Sequence, residues 1–87
     1  MMEAAPFQRP KRRLYADFNN VAADGGLPMT CAGSKESIAA LAPPLQDGED
    51  VWLTDGEIGT RARVFWRQGQ WEARSDWKFH PEDAGDP

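Results

Sequence analysis

From residue 51 to residue 77, apolar and polar positions alternate with period two, and turn-forming pairs interrupt the pattern twice. Asp55-Gly56 and Gln68-Gly69 fit the two-residue connections that join antiparallel strands. Centring a turn on the first pair sets Leu53 opposite Ile58 and Val51 opposite Thr60. Centring one on the second sets Trp66 opposite Trp71, Val64 opposite Ala73 and Thr60 opposite Trp77. Side chains along a strand point alternately to its two faces, so both turns place these residues on the same face. A three-strand meander with one buried surface follows.

The upstream pattern is shorter. Leu14, Ala16 and Phe18 alternate with Tyr15 and Asp17, which predicts a first strand from Arg13 to Phe18. Residues 19–26 gather Asn, Asp and Gly, the composition of a loop. Leu27, Met29 and Cys31 predict a second strand, placed at a sheet edge because Pro28 has no N–H to donate. Ser34 fits a helix N-cap and Glu36 suits the positive end of the helix dipole. Ile38 and Leu41 share a helical face, and Pro43-Pro44 ends the helix after about two turns.

The order β-β-short α-β-β-β predicts a mainly β fold, either a small, SH3-like, partly open barrel or a strongly bent antiparallel sheet. The alternative is an α+β sheet with one short helix. A single domain is expected over residues 12–78, between a disordered basic arm at 1–11 and a disordered acidic tail at 79–87. The expected core is Leu14, Phe18, Leu27, Met29, Ile38, Leu41, Val51, Leu53, Ile58, Val64, Trp66, Trp71 and Trp77, centred on Trp66 and Trp71.

Size sharpens the demand on that core. A chain of 87 residues buries only about 60–65% of the surface its unfolded form exposes. The four tryptophans help, each able to bury roughly 150–250 Å². The single cysteine, Cys31, cannot form an intramolecular disulfide and fits a reducing compartment. No apolar run approaches the roughly 20 residues of a membrane span, and the first residues lack the apolar stretch of a secretory signal. A cytoplasmic protein without membrane association is expected.

The net charge of −4 opposes broad, charge-driven binding to nucleic acid. That charge is segregated, however. Arg9, Lys11, Arg12 and Arg13 form a basic arm, Asp47, Glu49, Asp50, Asp55 and Glu57 an acidic stretch, and Arg61, Arg63, Arg67 and Arg74 a second basic group. On the inferred register the outward face of the meander carries Trp52, Arg61, Arg63, Phe65, Arg67 and Arg74, with Glu72 and Asp76. Arg61 would oppose Asp76, a favourable cross-strand pair, and Arg63 would oppose Arg74, an unfavourable one. Trp52 would oppose Gly59 and cover its backbone. An acidic partner bound here would relieve the arginine repulsion, which makes these six residues the candidate contact surface. The Arg9–Arg13 arm is the next candidate.

Catalytic chemistry finds little footing. The sole histidine, His80, falls in the expected tail, where mobility opposes the fixed geometry of nucleophilic catalysis. One cysteine and one histidine do not make a zinc site, and no Gly-rich strand-to-helix loop is present to cradle phosphate. Asp17, Asn19, Asn20 and Asp24 offer oxygen ligands, but turn chemistry explains the same residues, so no metal or cofactor is expected. A hydrolase pairing Asp17 with Asp55 is the least supported option. The expected role is a non-catalytic interaction module or adaptor with a protein partner. A module binding single-stranded nucleic acid through the arginine and aromatic strand face is the alternative.

The run Arg13-Leu14-Tyr15-Ala16-Asp17-Phe18-Asn19-Asn20 resembles the opening of a group of short, uncharacterised bacterial proteins. The resemblance extends through a helix like residues 34–42, Gly48-x-x-Val51-x-Leu53, Gly69-x-Trp71-x-Ala73 and Asp76-Trp77. It implies no functional residue. The meander is also similar in pattern to Tudor- and SH3-like barrels, without an aromatic cage motif for methyl-lysine.

Overall fold

In the computed structural model, which describes residues 9–82, both hairpins form and share the expected buried face. Strand β1 spans Arg13–Tyr15 and is followed by a 3₁₀ turn at Phe18–Asn20. Strand β2 (Gly26–Pro28) leads to helix α1 (Ala32–Ala39). The meander is β3 (Glu49–Thr54), β4 (Ile58–Arg67) and β5 (Gln70–Arg74), and a two-residue strand β6 covers His80–Pro81. The spatial order is β1-β3-β4-β5-β2, with β6 beside β4. The sheet is mixed, because β1 runs parallel to β3, and it does not close into a barrel. The β-rich α+β alternative therefore describes the fold. Among the described residues no helix is long and apolar enough to cross a membrane.

The second hairpin has its expected register, with Trp66 facing Trp71 and Val64 facing Ala73. Gln68 and Gly69 take φ of 51° and 82°, the paired left-handed geometry of a tight two-residue turn. The first hairpin slips by two residues: Leu53 faces Thr60 and Val51 faces Ala62. Asp55 causes the slip. Its Oδ1 accepts from the N–H groups of Glu57 and Ile58 at 2.9 and 3.0 Å, closing a wider turn over residues 55–58. These bonds also hold the Asp55 carboxyl below its ordinary pKa, Ile58 contributing most and Glu57 next. An even slip leaves every side chain on its expected face.

That face carries Leu14 and Ala16, Val51 and Leu53, Ala62 and Val64, Ala73, Leu27 and Met29, all buried, with Leu45 added from the loop before β3. Phe18, Val21, Ile38, Leu41, Trp71 and Trp77 pack around them. Ile58 is only half-buried, and Trp66 is 53% exposed, which corrects its place at the centre of the core. Trp66 and Trp71 do lie on the core face, but at the hairpin end of the sheet.

Helix α1 begins one turn earlier than expected. Cys31 is its N-cap residue and makes no side-chain cap bond, while Ser34 sits buried inside the helix. Ser34 Oγ donates to the Tyr15 carbonyl at 2.6 Å, and Ser37 Oγ accepts from the Tyr15 N–H at 3.1 Å. The outer backbone groups of Tyr15 are thereby satisfied by the helix, which covers this end of the β1 edge. At the other edge, Pro28 has no N–H, while Gly26 donates to Asp24 Oδ1 and accepts from Ala22. The prediction of Pro28 on an edge strand holds.

Strand β5 stops at Arg74, so Thr60 does not pair with Trp77, nor Arg61 with Asp76. Ser75 Oγ instead donates to the Arg61 carbonyl at 2.8 Å and accepts from the Trp77 N–H at 2.9 Å. Trp77 takes φ 56°, swings out of the ladder and donates its indole N–H to the Gly25 carbonyl at 2.9 Å. It packs with Phe18 and Phe79, which form an edge-to-face pair at 4.7 Å. The chain then returns to β4, pairing His80 with Gly59. Phe79 to Glu82, and Arg9 from the other end of the chain, are built into the fold rather than forming loose ends. The disorder expected at residues 1–8 and 83–87 concerns positions outside the described residues.

Candidate functional site

The six residues expected on the outward face do not form one exposed surface. Trp52 points to that face, as alternation requires, yet it is fully buried. Its indole lies over Gly59, where an added Cβ would come within 2.4 Å of the ring. The Arg9 guanidinium covers it, 4.6 Å from the ring centroid, and the His80 ring lies 6.1 Å away. The Trp52 N–H donates to Glu82 Oε2 at 2.5 Å. Trp52 is therefore removed from the contact surface. The covering role expected for it over Gly59 is observed, although its direct cross-strand partner is Arg61.

Glu82 organises this second, smaller interior. Its other oxygen accepts from Arg13 Nη2 at 2.7 Å and Arg9 Nη1 at 3.3 Å, and Arg9 also donates to the Pro81 carbonyl at 3.0 Å. The Glu82 side chain is 13% exposed. Burial acts to raise its pKa, but hydrogen bonds from Trp52, Thr54 and Arg13 outweigh it and hold the group at about 2. A carboxyl depressed in the folded state stabilises the fold above its ordinary pKa, and that contribution fades as pH falls from about 4.5 to about 2. Glu82→Gln should cost about 1.5–3 kcal/mol near neutral pH, the range for hydrogen bonds to a charged group. Urea titrations across this acid range should show the gap between wild type and variant closing as pH drops. A gap that stays constant would mean that the Glu82 charge is not what holds the ends together.

The arginines are mostly engaged by neighbouring acids. Arg63 faces Arg74 across the ladder as expected, but each has its own counter-charge. Arg63 Nε meets Asp50 Oδ1 at 3.2 Å; Arg74 meets Glu72 at 2.8 Å and Asp24 at 3.1 Å. The Glu72 and Asp24 bonds raise the Arg74 pKa. Asp24 is correspondingly lowered, first by the Gly26 N–H and then by Arg74. Arg67 stacks on the half-buried Phe65 ring at 5.5 Å. Arg61 lines a cleft of about 320 Å³ with Asp76, Lys78 and His80.

The basic arm is likewise built into the fold. Arg12 grips Glu49 through two bonds of 2.8 and 3.1 Å and reaches the carbonyls of Pro43 and Pro44. This contact lowers the Glu49 pKa. Asp17 accepts from the Asn19 N–H, so Asp17 and Asp55 each hold their own turn. Among the described residues no three His, Cys, Asp or Glu side chains gather as a metal site.

A different surface emerges at the hairpin end of the core face. Trp66 and Trp71 meet edge-to-face, with centroids 5.2 Å apart and planes at 68°. Asp47 Oδ1 accepts from the Trp66 backbone N–H at 2.8 Å and fixes the strand end. Between this pair and α1 lies a groove of about 220 Å³ lined by Met29, Thr30, Lys35, Ile38, Ala39, Gly69 and Gln70 as well as the two rings. The tryptophans divide into two classes by their N–H groups. Those of Trp52 and Trp77 donate to Glu82 and Gly25. Among the described residues those of Trp66 and Trp71 meet no protein acceptor, nor does the Lys35 ammonium. Sequence reasoning missed this groove by assigning both rings to the core. Their position one residue pair from a two-residue turn was the available signal, because it places them near the sheet's end, beyond the cover of a short helix. Comparison with protein-family models, curated proteins and solved structures yields no match to this chain.

Proposed function

We propose that the protein is a non-catalytic interaction module that holds a protein partner in the groove between the Trp66–Trp71 pair and α1. The observation that carries this reading is Trp66, 53% exposed beside Trp71 on an apolar surface. Large aromatic side chains anchored beside a pocket are the residues that dominate protein interfaces. Binding of single-stranded nucleic acid would draw on unengaged cations and stackable rings on one face. Here Arg63 and Arg74 are matched to acids and Trp52 is buried, so the arginine face offers less than its composition promises.

The test is capture from extract of the native host, with and without nuclease treatment, by immobilised wild type, Trp66→Ala and Arg63→Gln/Arg67→Gln. Trp66→Ala should keep its fold, since the ring is half exposed, and lose the specific partner. The arginine variant should retain it. Capture that survives Trp66→Ala, or that disappears on nuclease treatment, would defeat the proposal.

A further inference from the structure

Building on that reading, we infer that the groove takes a proline-containing segment in the polyproline II conformation, with a carboxylate side chain on the side of Lys35. Three observations select this occupant. The first is the shape of the groove, whose roughly 220 Å³ between Ile38 and Ala39 of α1 and the two indoles holds a side chain or two. An amphipathic helix would need a longer trough to seat anchors over two turns. The second is the state of the sheet edges. Ser34 and Ser37 occupy the outer groups of Tyr15, and Pro28, Asp24 and Ala22 blunt β2, so addition of a strand is disfavoured on both sides.

The third observation is the chemistry of the walls. The groove's lining is mostly apolar, and three of its residues, Trp66, Trp71 and Lys35, carry side-chain donors that meet no protein acceptor among the described residues. A matching ligand is apolar, rich in acceptors and poor in donors. Proline has no N–H, and in polyproline II the carbonyls face outward without internal partners. Such a segment is also stiff before it binds, so little ordering entropy is lost on a rigid aromatic surface. Charge sets its direction. Lys35 is the charged residue of the lining, while Asp47 sits at the backbone of Trp66. The acidic residue of the segment therefore faces Lys35 and avoids the Trp66 end.

The test titrates the full chain with three short synthetic peptides and follows the indole N–H resonances by NMR. The first alternates proline with aliphatic residues and carries a glutamate at one end. The second replaces that glutamate with glutamine, and the third replaces every proline with alanine. With the first peptide the Trp66 and Trp71 signals should move while those of Trp52 and Trp77 stay. Loss of the glutamate, or Lys35→Gln, should weaken binding by up to about 5-fold, as an exposed ion pair allows. Trp66→Ala should weaken it by at least about 30-fold, as removal of an anchor tryptophan does. Equal binding of the proline-free peptide, or unmoved Trp66 and Trp71 signals at saturating peptide, would overturn the inference. If Trp66→Ala still abolishes capture of a partner whose bound segment lacks proline, the proposed function stands and this occupant is wrong. If capture survives that substitution, both fall.

Discussion

Trp52→Ala should cost about 3–5 kcal/mol, the range for emptying a large aromatic site in a protein interior. An 87-residue domain has a total stability of roughly 4–13 kcal/mol, so the variant should unfold at low urea or be unfolded from the start. Trp52 belongs to no part of the main core cluster, and the loss comes from the opposite side of the sheet. Removing the indole takes the surface beneath the Arg9 guanidinium, the packing over Gly59 and the donor to Glu82 at once. Trp66→Ala provides the contrast: the same chemical change at a half-exposed ring should shift the urea midpoint far less. Equal destabilisation by the two substitutions would contradict this account of which tryptophan is structural.

Gly59→Val should be the second most damaging substitution. A Cβ at this position would lie 2.4 Å from both Cε2 and Nε1 of Trp52, a contact that the ring must move to relieve. The ring has little room to move, with Arg9 on it and its N–H held by Glu82. Overpacking of this kind costs about 1–3 kcal/mol, and loss of the Glu82 bond adds to it. Because the clash is pairwise, a double-mutant cycle isolates it. The cost of Gly59→Ala should fall by at least about half in a Trp52→Leu background, since residues in contact couple and distant ones add. Strict additivity would show that the glycine is required for its backbone alone.

The alternation of the meander was legible because parity is robust. Asp55 moved the first hairpin by two residues, and still Val51, Leu53, Thr60, Ala62 and Val64 stayed on one face. Burial was not legible in the same way. Parity places Trp66 on the core face and Trp52 on the other, but coverage decides which of them is buried. Coverage of Trp52 comes from Arg9 and Glu82, which lie 43 and 30 positions away in the chain and bear charges that read as solvated. Trp66 extends past the cover of an eight-residue helix on the same face, whose length is set by signals local to its own segment. The charge pairing of the arginine face was not legible for a related reason. The Arg63–Arg74 opposition follows from register, whereas its relief by Asp50, Glu72 and Asp24 depends on loops whose path a period-two pattern does not specify. Ser34 was recognised as helix chemistry, but its hydroxyl serves the neighbouring strand, a tertiary contact invisible to local capping rules.

The excursion between β5 and β6 constrains how this chain can change length. Four residue steps along β4, from Gly59 to Arg63, are spanned by six on the facing chain, from Arg74 to His80. The surplus is even, so His80 returns on the face that alternation from Arg74 assigns to it. Removing two residues here would allow a continuous strand in place of the Trp77 excursion and leave the seam around Trp52 in phase. Removing one would turn His80 toward the opposite face and carry Glu82 out of reach of Trp52. Viable insertions and deletions in this segment should therefore come in pairs, a parity rule imposed on the chain's evolution by an indole on the far side of the sheet.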